Sequence, residues 1–180
     1  MARQPQQQVK EYDLTEEQEE PEGRFQDYES ALDRPSDEIA APTILPPGTY
    51  TWMIVGLPVD GVSSQKGTPQ SDYTLQCMEA HPDVPQEALE KALSRPNGEV
   101  MPLNSKTMRQ TFYNTDNAIF MHKDFLTALG IPLKDDDGNT LTTRERYAQA
   151  PGKLVKARVR HSPRQDGSGM RANLSNFMPV

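Results

Sequence analysis

Six consecutive positions within residues 153–161 alternate between small apolar and cationic side chains. The apolar set is Val155, Ala157 and Val159, and the cationic set is Lys156, Arg158 and Arg160. Because successive side chains of a strand point to opposite faces, this pattern predicts a strand with one buried face and one exposed face. The strand therefore needs a sheet and a core on one side, and it carries a row of cations on the other.

Four more segments are typical of strands. They are rich in β-branched and aromatic residues, or alternate apolar with polar residues, between Gly- and Pro-containing turns. These predicted strands are 48–57, 70–79, 106–113 and 170–178. The turn-rich segment 59–69 is predicted to be a loop, and 163–169 the loop of a hairpin.

Helices are predicted between these strands. Asp83 is a suitable N-cap for residues 84–93. Asn114 or Thr115 is a suitable N-cap for the longest predicted helix, which follows the third strand. Residues 142–150 are predicted to form a short helix.

The resulting order is three strands, a helix and two strands, with a helical insertion between the second and third strands. A helix between the third and fourth of five strands is the order of the oligonucleotide/oligosaccharide-binding (OB) barrel, in which strands 2 and 3 and the loops 1–2 and 4–5 bind ligand. The sequence therefore predicts a mainly β, OB-like five-stranded barrel over residues 41–180.

Residues 1–40 differ from the rest of the chain in charge. They carry 4 basic and 12 acidic side chains, net −8, whereas residues 41–180 carry 15 and 14, net +1. Such a segment buries too little apolar surface to offset its ordering entropy, so we predict an acidic, largely disordered tail. Phe25, Tyr28 and Leu32 leave open a short helix that folds on a partner. A tethered acidic segment can also compete with DNA for a cationic face.

The sequence offers no constellation for catalysis, a metal or a cofactor. His81, His122 and His161 lie in unrelated segments, and His122 is predicted to lie at the surface or in the N-terminal turn of the longest predicted helix. A phosphate-binding Gly-Lys-Ser/Thr motif is absent, and the acidic turn 135–138 lacks carboxylates at the first and last positions of a calcium loop. The lone Cys77 excludes a disulfide or a cysteine-based zinc site within one chain. We therefore expect no enzyme, no metal and no cofactor.

The longest apolar runs are much shorter than the ~20 residues that span a bilayer. The first residues also lack the apolar region of a signal peptide. We expect no membrane partner and a cytoplasmic location.

Cations are concentrated in residues 144–171, which hold eight basic and two acidic side chains, net +6. The three cations of segment 153–161 are spaced about 7 Å apart, close to the separation of phosphates along one nucleic-acid strand, so they can follow a single backbone and release its counterions. The alternative is a solvated face that blunts an exposed edge. The predicted DNA-binding residues are Lys66, Lys106, Arg109, Tyr113, Lys156, Arg158, Arg160, Arg164 and Arg171.

Single-strand binding also uses aromatic platforms on which bases stack. Tyr113 shares a strand face with Arg109 and Thr111 and is predicted to point outward, whereas Tyr73 is predicted to lie in the core. Trp52 lies in a strand that is apolar on both faces, so it is either a core residue or a base-stacking residue.

Several short segments, in the same order along the chain, resemble those of small phage-encoded proteins related to single-stranded DNA-binding proteins. The segments are 45–51 (LPPGTYT), 65–68 (QKGT), 73–79 (YTLQCME), 125–131 (FLTALGI) and 152–157 (GKLVKA). The resemblance spans residues 45–178 and implies an OB-like fold and a role in phage DNA replication or recombination. The acidic segment departs from the pattern, because many single-strand-binding proteins carry theirs at the C-terminus.

The sequence thus predicts a non-catalytic single-stranded DNA-binding protein of phage DNA replication or recombination, acting in the cytoplasm of an infected bacterial host. Replication or recombination proteins are candidate partners of residues 1–40, and the oligomeric state stays open. The alternative is a virion or assembly protein whose tail docks on a neighbouring subunit.

Overall fold

The structure is a computed structural model that describes residues 43–64, 66–95, 97–164 and 167–180. The predicted acidic tail, with its optional helix around Tyr28, lies outside the described residues.

The described residues form a mainly β domain with a six-stranded antiparallel sheet. Its strands are β1 (Gly48–Ile54), β2 (Val59–Val62), β3 (Pro69–Ala80), β4 (Thr107–Tyr113), β5 (Leu154–Pro163) and β6 (Met170–Met178). The five predicted strands are all present, with ends within three residues of those expected. The predicted loop 59–69 is wrong in its first part, because β2 forms there despite its internal Asp60-Gly61 turn signal.

The long strand β3 organises the sheet, whose hydrogen-bonded order is β2-β3-β1-β5-β6 with β4 also on β3. β1 and β2 pair with successive parts of one edge of β3, and β4 pairs with the opposite edge. β5 joins the free edge of β1, and β6 joins β5. The outward faces of β3 and β4 therefore lie side by side, with β1 between β3 and the cationic strand β5.

The predicted closed five-stranded barrel is wrong, because the sheet is open. In the described part of the chain no ladder joins β4 to β6. Phe125, in the helix that follows β4, instead contacts Phe112 of β4 and Phe177 of β6, with ring centroids 4.7 and 4.9 Å apart. These aromatic side chains fill the space where the two strands would otherwise pair.

The helices of the described residues are α1 (Gln86–Leu93), α2 (Ile119–Ala128) and α3 (Thr143–Tyr147), with a 3₁₀ turn at Leu103–Ser105. Two predicted caps are wrong. Pro85 and Ala118 occupy the N-cap positions of α1 and α2. Asp83 instead accepts hydrogen bonds from the backbone N–H and hydroxyl of Thr49 at 3.1 and 2.9 Å, which ties the start of α1 to β1. The side chain of Asn114 bonds to Ser71 of β3 instead.

The core lies between the inward face of the sheet and the helices. The alternation predicted for β5 is confirmed, since Val155, Ala157 and Val159 are fully buried. Tyr73 is buried as predicted, and Trp52 is buried as well. Both rings therefore contribute to stability through burial of apolar surface.

Candidate nucleic-acid interface

A solvent-open cleft of about 700 Å³ lies over the outward face of β3 and β4; we call it the β3–β4 cleft. The loop between β2 and β3 forms one wall with Ser63, Lys66 and Thr68. The connection between β4 and α2 contributes Thr115 and Ala118. The cleft is lined mostly by hydroxyl, amide and cationic groups, which suits a polar, anionic ligand better than an apolar one.

The floor of the cleft follows from the alternation of β4. Arg109, Thr111 and Tyr113 all point outward, about 7 Å from one to the next, while Phe112 points into the core. Gln70 of β3 lies opposite Tyr113. Tyr113 is 44% exposed, so part of its ring is open to a ligand.

A carboxylate that sequence reasoning missed lies under this floor. Asp72 of β3 accepts hydrogen bonds from the Arg109 guanidinium, the Thr111 hydroxyl and the Gln70 amide. Burial raises the pKa of Asp72, but these hydrogen bonds and the Arg109 charge outweigh it and hold the pKa below its usual value. Asp72 is therefore a carboxylate at neutral pH. Only the β3–β4 register, which places it opposite Thr111, distinguishes it from other polar strand residues.

A chain of hydrogen bonds behind the cleft fixes the connection between β4 and α2. Asn114 lies between the cleft residues Tyr113 and Thr115; its Nδ2 donates to Ser71 Oγ at 2.8 Å, and its Oδ1 lies 3.2 Å from His122 Nδ1. Because that oxygen can only accept, Nδ1 of His122 carries the proton. These hydrogen bonds thus anchor one wall of the cleft to β3 and α2.

His122 lies near the N-terminus of α2, but it is fully buried, so its predicted surface position is wrong. The ring stacks on Phe112, with planes 8° from parallel. The rings that enclose it come from β3, β4 and α3, namely Tyr73, Phe112 and Tyr147. Burial lowers the pKa of His122 to about 4; the nearby Asp60 acts in the opposite direction and Arg146 in the same direction.

Two predicted DNA-binding residues besides Tyr113 line the cleft, namely Lys66 and Arg109. Lys106 precedes β4, and its Nζ lies 3.4 Å from Thr43 Oγ1, a position outside the lining of the cleft. Trp52 has no exposed surface in the described part of the chain, so it offers no face to a base.

The remaining predicted cations belong to β5, β6 and the loop between them. We call Lys156, Arg158, Arg160 and Arg171 the β5–β6 face. Arg158, Arg160 and Arg171 are exposed, Lys156 is half-buried, and Arg164 is exposed in the hairpin loop. Since β1 and β3 separate β5 from β4, the structure does not bring this face into the β3–β4 cleft.

Carboxylates border the β5–β6 face. Asp83 lies close enough to Arg158 for the guanidinium to help lower its pKa, after the larger effect of its hydrogen bonds with Thr49. Thr51 lies between Lys156 on one side and Glu79 on the other in the strand register. The local positive charge is therefore smaller than the row of cations alone suggests.

The charge of residues 144–171 also overstates the available cations. Arg146 is buried, and its guanidinium donates to the carbonyl oxygens of Ile131 and Pro132 at the end of α2. Arg144 pairs with Asp60 at 3.4 Å. Neither side chain contributes to the cleft or to the β5–β6 face.

No protein-family model matches the chain, and no curated protein matches it. Among the helices of the described residues, none combines the length and the apolar character that a membrane-spanning helix needs.

Proposed function

We propose that the protein binds single-stranded DNA without catalysing a reaction, and that it serves phage DNA replication or recombination. The observation that carries the proposal is the convergence of Lys66, Arg109 and Tyr113 on one solvent-open cleft. Lys66 comes from the loop between β2 and β3, whereas Arg109 and Tyr113 come from β4, and together they supply two cations for phosphates and an aromatic ring for a base. That is the combination by which proteins hold single strands.

The order of the elements supports the same conclusion. If β1 and β2 are taken as one bent strand, then β3 and β4 correspond to strands 2 and 3 of an OB fold, and residues 63–68 correspond to its loop between strands 1 and 2. OB folds bind oligonucleotides on that face and beside that loop. The fold we propose is therefore an OB-like sheet that stays open between β4 and β6.

The two cationic surfaces have different tasks in this proposal. The β3–β4 cleft has the volume of a site for a small organic ligand, and its hydroxyl and amide groups can bond base edges and sugars. The β5–β6 face consists of cations alone, so in this proposal it contributes sequence-independent contacts with phosphates. The first surface holds bases and the second strengthens binding at low salt.

Fluorescence anisotropy with a labelled dT oligonucleotide tests the proposal, with a duplex of the same length as the comparison. We expect tighter binding of the single strand and a loss of affinity for Lys66→Glu. The control is Lys91→Glu, an equal charge reversal at an exposed site on α1 outside the cleft lining. Equal affinity for single strand and duplex, or an equal loss in both variants, would contradict the proposal.

One observation favours the alternative of a virion or assembly protein. In the described residues β2 pairs with β3 alone, and Val59 and Val62 are both exposed beside this edge. An apolar strand edge can pair with another chain. A protein that assembles reversibly with concentration, loses assembly in Val59→Lys and does not bind dT would support this alternative.

A further inference from the structure

Asp72 is unexpected at the floor of a cleft that binds a polyanion. Its side chain is 10% exposed and lies beneath Arg109, which lines the cleft. Coulomb's law alone predicts that removing this negative charge strengthens the binding of DNA. The contacts of Asp72 indicate the opposite.

Asp72 fixes the orientation of Arg109. The carboxylate holds one edge of the guanidinium and is itself held by Thr111 and Gln70, which share the outward face of the sheet. The Arg109 side chain nevertheless remains 66% exposed. A free arginine loses much rotamer freedom when it binds a ligand, whereas a guanidinium already held in place loses little. Arg109 thus presents a planar group to the cleft in a preset orientation.

Arg109 and Tyr113 point to the same side of β4, four residues and about 13 Å apart. Bases stack on guanidinium planes as well as on aromatic rings. Residues two apart on a β-strand are about 7 Å apart, which is close to the separation of adjacent phosphates on one nucleic-acid strand. The distance from Arg109 to Tyr113 therefore corresponds to about two phosphate spacings. The floor of the cleft therefore carries two planar groups at a separation that suits two bases of one strand.

We propose that Asp72 is a positioning residue that holds Arg109 as a flat stacking surface for one base of a bound single strand, while Tyr113 stacks another base further along it. This inference rests on the proposed function and adds the recognition of bases at a defined place in the cleft.

The sign of the effect of Asp72→Asn tests the proposal, because charge and positioning predict opposite results. Asp72→Asn removes one negative charge and should bind dT10 at least about fivefold more weakly than wild type, from the loss of one stacked base. Arg109→Lys keeps the charge but removes the plane, and should show a similar loss. The double variant should bind no more weakly than Arg109→Lys, because both changes remove the same interaction.

A strand without bases separates stacking from folding and charge. An abasic deoxyribose-phosphate 10-mer has the charge of dT10 but nothing to stack. We expect wild type to prefer dT10 over the abasic strand, and expect this preference to shrink in both single variants while the salt dependence of Arg109→Lys stays that of wild type. If Asp72 had only a structural role, Asp72→Asn would weaken the binding of dT10 and of the abasic 10-mer alike. Thermal unfolding checks the fold of each variant, and the exposed Arg109→Lys carries the test if Asp72→Asn does not fold.

The outcomes are distinguishable. If wild type binds dT10 but Asp72→Asn binds equally or more tightly, or if neither variant changes the preference for dT10 over the abasic strand, the role of Asp72 is overturned and the proposed function stands. If wild type does not bind dT10, the proposed function fails and this inference fails with it.

Discussion

The hydroxyl of Tyr73 lies 2.5 Å from Nε2 of His122, and both side chains are excluded from solvent. Since Nδ1 of His122 donates to Asn114, Nε2 must accept, and Tyr73 is the donor. The chain continues through Ser71, whose hydroxyl donates to Asp60 at 2.7 Å. In this series of hydrogen bonds, each bond fixes which group donates in the next. The folded structure therefore requires His122 to be neutral.

The pH dependence of stability follows from this histidine. Its pKa is about 4 in the folded state, against 6.5 for an unperturbed histidine of the unfolded chain, so the unfolded chain binds more protons between these values. Stability is therefore fully present above pH 6.5 and falls as pH decreases to about 4, by an amount on the order of 3 kcal/mol. Urea unfolding at a series of pH values measures the free energy of unfolding.

His122→Gln is the control for the pH series, because it cannot titrate. We expect this variant to be less stable at pH 7 but to lose the slope between pH 6.5 and 4. A slope equal to that of wild type would show that other groups cause the dependence.

Removal of the Tyr73 hydroxyl should destabilise the domain. Tyr73→Phe leaves Nε2 of His122 without its donor in a buried site, which costs about 1–3 kcal/mol. Tyr113→Phe removes the same atom from a ring that is 44% exposed and should change the free energy of unfolding by less than about 0.5 kcal/mol. Equal effects in the two variants would mean that the buried hydrogen bond contributes nothing.

The strands were predictable because their signals are local. The alternation of Val155, Ala157 and Val159 is a property of consecutive residues, and the structure buries all of them. The burial of His122 and the gap between β4 and β6 were not predictable in this way. They depend on which segments meet, and the aromatic contact between Phe112 and Phe177 joins β4 to the last strand, β6.

The candidate site was predictable only in its residue types. Charge, aromaticity and strand face single out Lys66, Arg109 and Tyr113 among many residues, and the structure brings them to one cleft. Asp72 was missed because a carboxylate near cations matters only once the register between β3 and β4 is known. Arg146 is the opposite case. It contributes to the net positive charge of residues 144–171, but its side chain is buried and does not reach a cationic surface.

Arg146 should be essential for stability through the end of α2. Its guanidinium donates to the carbonyl oxygens of Ile131 and Pro132 at 2.8 and 3.1 Å and to Thr127 Oγ1 at 3.1 Å. Arg146→Met keeps most of the volume but leaves these acceptors unpaired, at a cost of about 2–4 kcal/mol in the free energy of unfolding. Arg144→Met, at an exposed position of α3, the helix that also carries Arg146, should cost less than about 1 kcal/mol. Chemical denaturation compares them, and equal losses would refute the role of Arg146.

Gly48 should not accept a side chain. Its φ is +154°, and an added Cβ would lie 2.5 Å from Cγ2 of Val84, the buried residue that packs against the start of β1. We expect Gly48→Ala to destabilise the domain by about 1–3 kcal/mol, because Val84 would have to shift and a side chain is strained at this φ. At Gly61 an added Cβ meets open space among the described residues, so Gly61→Ala should be close to neutral. A neutral Gly48→Ala in thermal unfolding would contradict the close approach.

The β5–β6 face should contribute charge rather than base contacts to the binding of single strands. Arg158→Glu combined with Arg160→Glu changes two exposed residues of β5 and should strongly weaken the binding of dT oligonucleotides without changing the melting temperature. The salt dependence should also become shallower, since log K falls with log salt by about 0.7 for each phosphate neutralised on a single strand. Anisotropy titrations at several salt concentrations give both quantities.

Lys123→Glu combined with Lys134→Glu is the matched control, because it makes the same change in net charge at exposed sites outside both surfaces. A general electrostatic effect would weaken binding equally in the two double variants. A local contact with phosphates would weaken it mainly in the β5 variant, and would leave the preference for dT over an abasic strand intact, because the base contacts are proposed to lie in the β3–β4 cleft. Unchanged affinity in the β5 variant would remove the β5–β6 face from the interface and leave the cleft as the binding site.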